Sequence, residues 1–147
     1  MDFTPLLGRL HPLVLHFPLA LILLAAAVEA VRLKWDRPAF AQFVPFLLLV
    51  GALGAVVSSV TGWVFALESY PRPSLRWALN WHRWLGITAT VLAGGAAWIA
   101  HRHANATTPS GRWLRRSAVW LTSFVLSAAA HLGALMVWDE DYFDNSK

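Results

Sequence analysis

One long segment of this sequence carries no charged side chain. Between Phe40 and Leu67 there is no Asp, Glu, Lys or Arg, and most of the residues are apolar. A helix of about 20 apolar residues crosses the hydrocarbon core of a bilayer. The segment therefore predicts a transmembrane helix, and the rest of the chain must then fold with its backbone polar groups paired inside the lipid.

Three further apolar segments bring the number of predicted spans to four. The chain has 147 residues, of which 57% are hydrophobic and 14% are charged. Short connections with Pro, Gly, Ser or Asp separate the segments, so that sequence neighbours become antiparallel neighbours. We predict an all-α, integral membrane four-helix bundle of up-down-up-down topology, in a single domain. The predicted spans are residues 12–31, 40–67, 77–100 and 113–138.

The basic residues flank these spans, so membrane topology explains the net charge of +4 better than nucleic-acid binding does. Seven Lys and Arg side chains lie in the connections at one end of the bundle and five at the other. The positive-inside rule predicts a multi-pass protein of a bacterial inner membrane. The end of the bundle with seven basic side chains should lie in the cytoplasm, and both termini should lie in the periplasm. The chain has no cysteine, which excludes disulfides, thiolate metal sites and covalently attached haem c.

Four of the six histidines fall at the same predicted end of the bundle. The first span opens with "LHPLVLHFP", which holds His11 and His16 between two prolines. His82 lies a little over one turn into the third span, and His131 lies about two turns before the end of the fourth. At about 1.5 Å per residue, His16, His82 and His131 should lie roughly 7–11 Å below one interface, with His11 at the mouth.

Small residues recur at four-residue spacing beside these histidines, which places them on common helix faces. Such stripes allow close helix packing, and beside a histidine they would also leave room for a flat ligand such as a porphyrin. The stripes are Gly54, Ser58 and Gly62 in the second span, His82, Gly86, Thr90 and Gly94 in the third, and Ser123, Ser127 and His131 in the fourth.

Buried imidazoles in a membrane mark functional sites and are common ligands of iron, zinc and copper. Haem b needs only axial ligands and an apolar slot, so the sequence predicts one or two haems. His16 and His82 are the first predicted axial pair, followed by His11 and His131. Arg83 and Trp81, near the same interface, are predicted to hold the propionates.

Three alternatives remain open at this stage. One is a zinc or copper metalloprotein with His16, His82 and His131 as ligands, although no carboxylate lies deep near them. Another is a proton relay. The third is a non-catalytic membrane subunit whose histidines bond carbonyl groups that the prolines leave free. At the opposite end, Glu29 is predicted to pair with Arg32 or to extend towards the interface.

Several motifs resemble a bacterial membrane-protein family known as domain of unknown function 2231. "HPLVLHFPLAL" (residues 11–21) resembles its opening HPxxVHFPxAL, and "SSVTGW" (58–63) is similar to its second-helix pattern. "NWHRWLG" (80–86) and "HLGALMVW" (131–138) resemble its third-helix and closing motifs, except that the closing Gly-Gly pair is Gly133-Ala134 here. The resemblance implies four membrane helices and, through relatives joined to cytochrome c-like modules, redox chemistry; His11, His16 and His82 match its motifs.

Together these features predict a membrane cytochrome that transfers electrons near the outer face of the inner membrane. The expected partners are the lipid bilayer, a quinol and a periplasmic c-type cytochrome, with no nucleic acid. The acidic tail "WDEDYFDNSK" (138–147) is either a docking segment for that cytochrome or a solvated end. The oligomeric state stays open, with a homo-oligomer among the alternatives.

Overall fold

The computed structural model describes residues 4–68 and 71–138, and all regular structure in these residues is helical. Four segments are long and apolar enough to cross a membrane, which confirms the predicted all-α membrane fold. The acidic tail at residues 139–147 lies outside the described residues. The helices are α1 (Thr4–Arg9), α2 (His11–Val14), α3 (His16–Val31), α4 (Pro38–Glu68), α5 (Arg76–Arg102) and α6 (Pro109–Trp138), and a 3₁₀ turn (Pro73–Leu75) precedes α5.

The first membrane segment is divided into α2 and α3 at Leu15. Two prolines bracket this break. Pro18 has no N–H to donate to the carbonyl of Val14, and its ring disfavours a regular helix over the preceding turn. At the same break, the His16 imidazole bonds the preceding turn, because its Nδ1 lies 2.6 Å from the carbonyl oxygen of Pro12.

Each long helix packs against its sequence neighbours, and α3 also packs against α6, which closes the four-helix bundle. Alanine occupies the buried face of α5 at Ala89, Ala93, Ala96, Ala97 and Ala100. Small side chains at such spacing let neighbouring helix backbones approach closely, and this is how helices gain packing energy where lipid removes the hydrophobic driving force.

Large apolar side chains cover the outside of the bundle. Leu13, Phe124 and Val137 are each more than 70% exposed, and tryptophans occupy exposed positions on α4, α5 and α6. So much exposed apolar surface would make a soluble monomer aggregate, whereas in a bilayer it contacts acyl chains.

A buried charge cluster ties the helices together at one end, which we call the arginine end. Glu29 on α3 is fully buried and accepts hydrogen bonds from Arg32, at 3.2 Å, and from Arg115 on α6, at 2.7 Å. Arg116 lies 3.7 Å from the same carboxylate. Arg32 and Arg115 also donate to the carbonyl of Ala104 after α5. The predicted pairing of Glu29 with Arg32 is present, within a larger network that joins α3, α5 and α6.

Candidate functional site

His11 and His82 lie together at the opposite end of the bundle, which we call the histidine end. His11 begins α2 and His82 lies in the second turn of α5. Their ring centroids are 6.2 Å apart, with an angle of 76° between the ring planes. Both side chains are half-buried. Two imidazoles from distant parts of the sequence thus form a close pair inside a membrane bundle.

Both histidines are held by a backbone carbonyl group at the same ring nitrogen. His11 Nδ1 lies 2.9 Å from the carbonyl oxygen of Ser58, and His82 Nδ1 lies 2.7 Å from that of Ala129. A carbonyl oxygen only accepts, so each Nδ1 carries the proton and donates it. In a neutral imidazole the other nitrogen, Nε2, then keeps its lone pair. This is the arrangement by which proteins orient histidine ligands of metals.

Glycine makes room for each of these imidazoles on the facing helix. A Cβ atom at Gly62 on α4 would lie 2.7 Å from His11 Cε1, and one at Gly133 on α6 would lie 3.1 Å from His82 Cε1. Ser58 and Gly62 are four residues apart, as are Ala129 and Gly133. Each pair therefore presents an acceptor and a gap on one helix face. The small residues on these faces accommodate the histidine rings themselves.

Replacing Gly62 with alanine is therefore expected to lower stability by about 1–3 kcal/mol, the usual cost of forcing an extra methyl group into a packed site. Gly94→Ala is the matched control, because a Cβ there meets nothing within 4 Å and alanine favours the helix over glycine. Thermal unfolding in detergent compares the two variants. Equal midpoints for Gly62→Ala and Gly94→Ala would show that His11 does not occupy the position described.

One aromatic ring contacts the pair, and an arginine follows His82 in the sequence. The ring of Phe65 stacks on His11 with centroids 6.4 Å apart and an angle of 29° between the planes. The guanidinium of Arg83 lies 5.0 Å from the ring centroid of Trp63. Its Nε is buried and has no hydrogen-bond partner among the described residues. An arginine nitrogen in that position remains available to an anionic group.

The other predicted histidines lie elsewhere on the helices. His16 is exposed on α3 and bonded to Pro12, and His131 is exposed on α6. The structure therefore pairs His82 with His11 and not with the first predicted partner, His16. His16, His82 and His131 do not form the predicted ligand set, and among the described residues no group of three His, Cys, Asp or Glu side chains is arranged to hold a metal ion.

The remaining predicted site residues differ in their surroundings. Trp81 is 57% exposed. A Cβ at Gly54 would lie 3.2 Å from the ring of Phe17, so α3 fills that gap. A Cβ at Gly86, one turn after His82, would meet nothing within 4 Å, and Gly86 therefore leaves open space on the His82 face of α5. Ser58 contributes its backbone carbonyl, described above.

The sequence did not indicate several residues that shape the site. Thr61 donates to the carbonyl oxygens of Val57 and Ser58 at 3.0 Å and lies 3.4 Å from His11 Nδ1. Phe65 and Ala129 contact the imidazoles through a ring and a backbone carbonyl group. An apolar residue that acts through its backbone leaves no signal in its residue type. Ser58 and Gly62 belonged to a predicted stripe, whereas Ala129 and Gly133 did not.

A family model described as "Predicted membrane protein (DUF2231)" matches residues 9–142 of the chain. This match includes both paired histidines and all four membrane segments. No curated protein and no solved structure matches the chain.

Proposed function

Given that the chain belongs to the DUF2231 family of predicted membrane proteins, we propose that it is a membrane cytochrome that binds one haem b through His11 and His82. The observation that carries the proposal is the imidazole pair. Its rings come from α2 and α5, are 6.2 Å apart, and are each held at Nδ1 by a carbonyl oxygen.

The number of donors favours haem over a bare metal ion. Zinc sites in proteins use at least three protein ligands, and no such group is present among residues 4–68 and 71–138. Haem iron already has four ligands from its porphyrin and needs only two axial imidazoles. The Nε2 lone pairs of His11 and His82 are the ligands this requires.

The spacing of the two rings is compatible with a shared metal ion. Metal–imidazole bonds are about 2 Å long, and the ring centre lies about 1 Å behind the bound nitrogen, so two facing ligands have centroids roughly 6 Å apart. The observed separation is 6.2 Å. The open space beside Gly86, one turn after His82, would leave room for a flat ligand on this side of α5.

Bound haem would supply a couple that accepts and releases one electron. The residues of the chain would hold it. His11 and His82 would be the iron ligands, oriented by the carbonyl groups of Ser58 and Ala129. The buried Nε of Arg83, which has no hydrogen-bond partner among the described residues, would pair with a carboxylate of the cofactor. The ring of Phe65 packs on His11 and would shield that side of the site from water. In the proposed orientation in a bacterial inner membrane, the histidine end faces the periplasm, where a quinol or a soluble c-type cytochrome would exchange electrons with it.

The direct test is the absorption spectrum of the detergent-purified full chain from haem-replete cells, oxidised and then reduced with dithionite. We expect a Soret band, split visible bands on reduction, and one iron atom per chain by metal analysis. A colourless protein would overturn the proposal. Stoichiometric copper or zinc in that colourless protein would assign the pair to a metal ion instead, and the absence of any metal would leave His11 and His82 as structural hydrogen-bond donors.

A further inference from the structure

A cleft of about 300 Å³ opens at the arginine end, far along the bundle from the paired histidines. The residues between α3 and α4 form one wall, and those between α5 and α6 form the other. Three arginines, Arg32, Arg37 and Arg112, line the cleft together with one carboxylate, Asp36. Asn105 and Thr107 add an amide and a hydroxyl group. The lining thus combines apolar side chains with polar groups that carry an excess of positive charge.

The only carboxylate in this lining is already neutralised. Arg32 donates from Nε to Asp36 at 2.8 Å, from Nη1 to Glu29 at 3.2 Å, and from Nη2 to the carbonyl of Ala104 at 3.2 Å. All three nitrogens of Arg32 are thus occupied by protein acceptors. Asp36 and Glu29 form ion pairs with this arginine, and Glu29 also pairs with the buried arginines behind it.

Arg37 and Arg112 are different, because their side chains make no hydrogen bond or ion pair with other described residues. They lie at the cleft from two separate segments, one before α4 and one in α6. Since Arg32 holds Asp36, no acidic side chain of the cleft remains for them. Two guanidinium groups thus border the same cleft with their donors unused by the described protein.

The charges behind the cleft also favour the binding of an anion. Arg115 and Arg116 share Glu29 with Arg32. The cleft lining and the cluster behind it together hold five arginines and two carboxylates. Arg116 Nε is buried without a hydrogen-bond partner in the described part of the chain. Among residues 4–68 and 71–138, no ion pair compensates the charges of Arg37 and Arg112, and a bound anion would compensate them.

We propose that this cleft binds a phosphate group through Arg37 and Arg112. Guanidinium groups bind tetrahedral oxyanions with paired N–H donors, which makes arginine a preferred phosphate ligand. The volume of the cleft is at the low end of ligand pockets and suits a headgroup or a free ion. The phosphate belongs either to an anionic phospholipid or to inorganic phosphate in solution, and both present the same oxygens to the cleft. The site is independent of haem binding.

The test is a titration of the full chain in neutral detergent, followed by native mass spectrometry. The titrants are phosphatidylglycerol, phosphatidylcholine and inorganic phosphate. The test variant is Arg37→Gln/Arg112→Gln. The control is Arg76→Gln/Arg102→Gln, which removes two exposed arginines outside the cleft. Because none of these side chains is an interior partner, thermal unfolding in lipid-free detergent should be alike for all three proteins.

We expect the test variant to bind the phosphate ligand at least about tenfold more weakly than the wild type, as loss of charge-assisted hydrogen bonds implies. The control should bind as the wild type does. Selective loss of phosphatidylglycerol binding identifies a lipid headgroup, and loss of inorganic phosphate binding without a lipid preference identifies the free ion. Equal binding by the test variant and the wild type would overturn the proposal, as would an equal loss in the control.

Discussion

Replacing His11 or His82 with alanine is expected to abolish the haem spectrum, whereas replacing His16 or His131 is expected to leave it intact. The rings of His11 and His82 have centroids 6.2 Å apart and their Nδ1 atoms bonded to carbonyl groups, so in the proposed site each would supply one Nε2 ligand. A haem that loses one of two axial imidazoles loses its low-spin spectrum and much of its affinity. His16 and His131 are exposed on α3 and α6, away from the pair.

The measurement is the reduced-minus-oxidised spectrum of the four single variants, with haem per protein determined on the same samples. We expect haem content to fall at least about tenfold in the His11 and His82 variants, as for other lost metal-site contacts. His16→Ala and His131→Ala are the matched controls, because each removes an imidazole from the same end of the bundle. Loss of haem in His16→Ala with retention in His11→Ala would instead establish His16 and His82 as the ligand pair.

Replacing Glu29 with glutamine is expected to destabilise the protein by about 3–5 kcal/mol, the usual effect of removing one partner from a buried ion pair. Glu29 and Arg115 are both fully buried, and their closest atoms are 2.7 Å apart. Without the carboxylate, Arg115 and its neighbours Arg32 and Arg116 would repel one another in a space that water does not reach. The measurement is unfolding of the purified protein by titration of a denaturing detergent.

Asp36→Asn is the matched control for this prediction. Asp36 also binds Arg32, at 2.8 Å, but its side chain is 40% exposed. Water screens exposed ion pairs, so the loss should be about 1 kcal/mol or less. In addition, Glu29→Gln/Arg115→Gln should be less destabilised than Glu29→Gln alone, because it removes both buried charges of one pair. Similar small losses for Glu29→Gln and Asp36→Asn would contradict the role of Glu29 as the centre of the cluster.

The end of the bundle at which these histidines lie could be read from the sequence, but which of them meet could not, because a residue count does not give the direction of a side chain around its helix. Counting residues at a fixed rise places His16, His82 and His131 at one level. A helix turns by about 100° per residue, so side chains two positions apart point in nearly opposite directions. Ala129 and Gly133 both contact His82, and His131 lies between them on the other side of α6.

The stripes of small residues also separate what the sequence predicts from what the packing of the helices decides. The predicted stripe in the second span lies against other groups, whereas Ser127 and His131 of the stripe in the fourth span are exposed. What occupies those faces depends on the neighbouring helix: the imidazole of His11 at Gly62, Phe17 at Gly54, and open space at Gly86. The first segment is also divided at Leu15, between two prolines, and His11 before the break is half-buried whereas His16 after it is exposed.

By itself the sequence determined the number of membrane helices, their approximate positions and the end at which the histidines gather. Lipid imposes these features on each segment separately, because every span must be long, apolar and internally hydrogen-bonded. Only the tertiary structure decided which imidazoles meet, which carbonyl groups hold them and that Glu29 binds arginines from two helices. These contacts depend on the rotation and spacing of packed helices, and residues far apart in the chain set both.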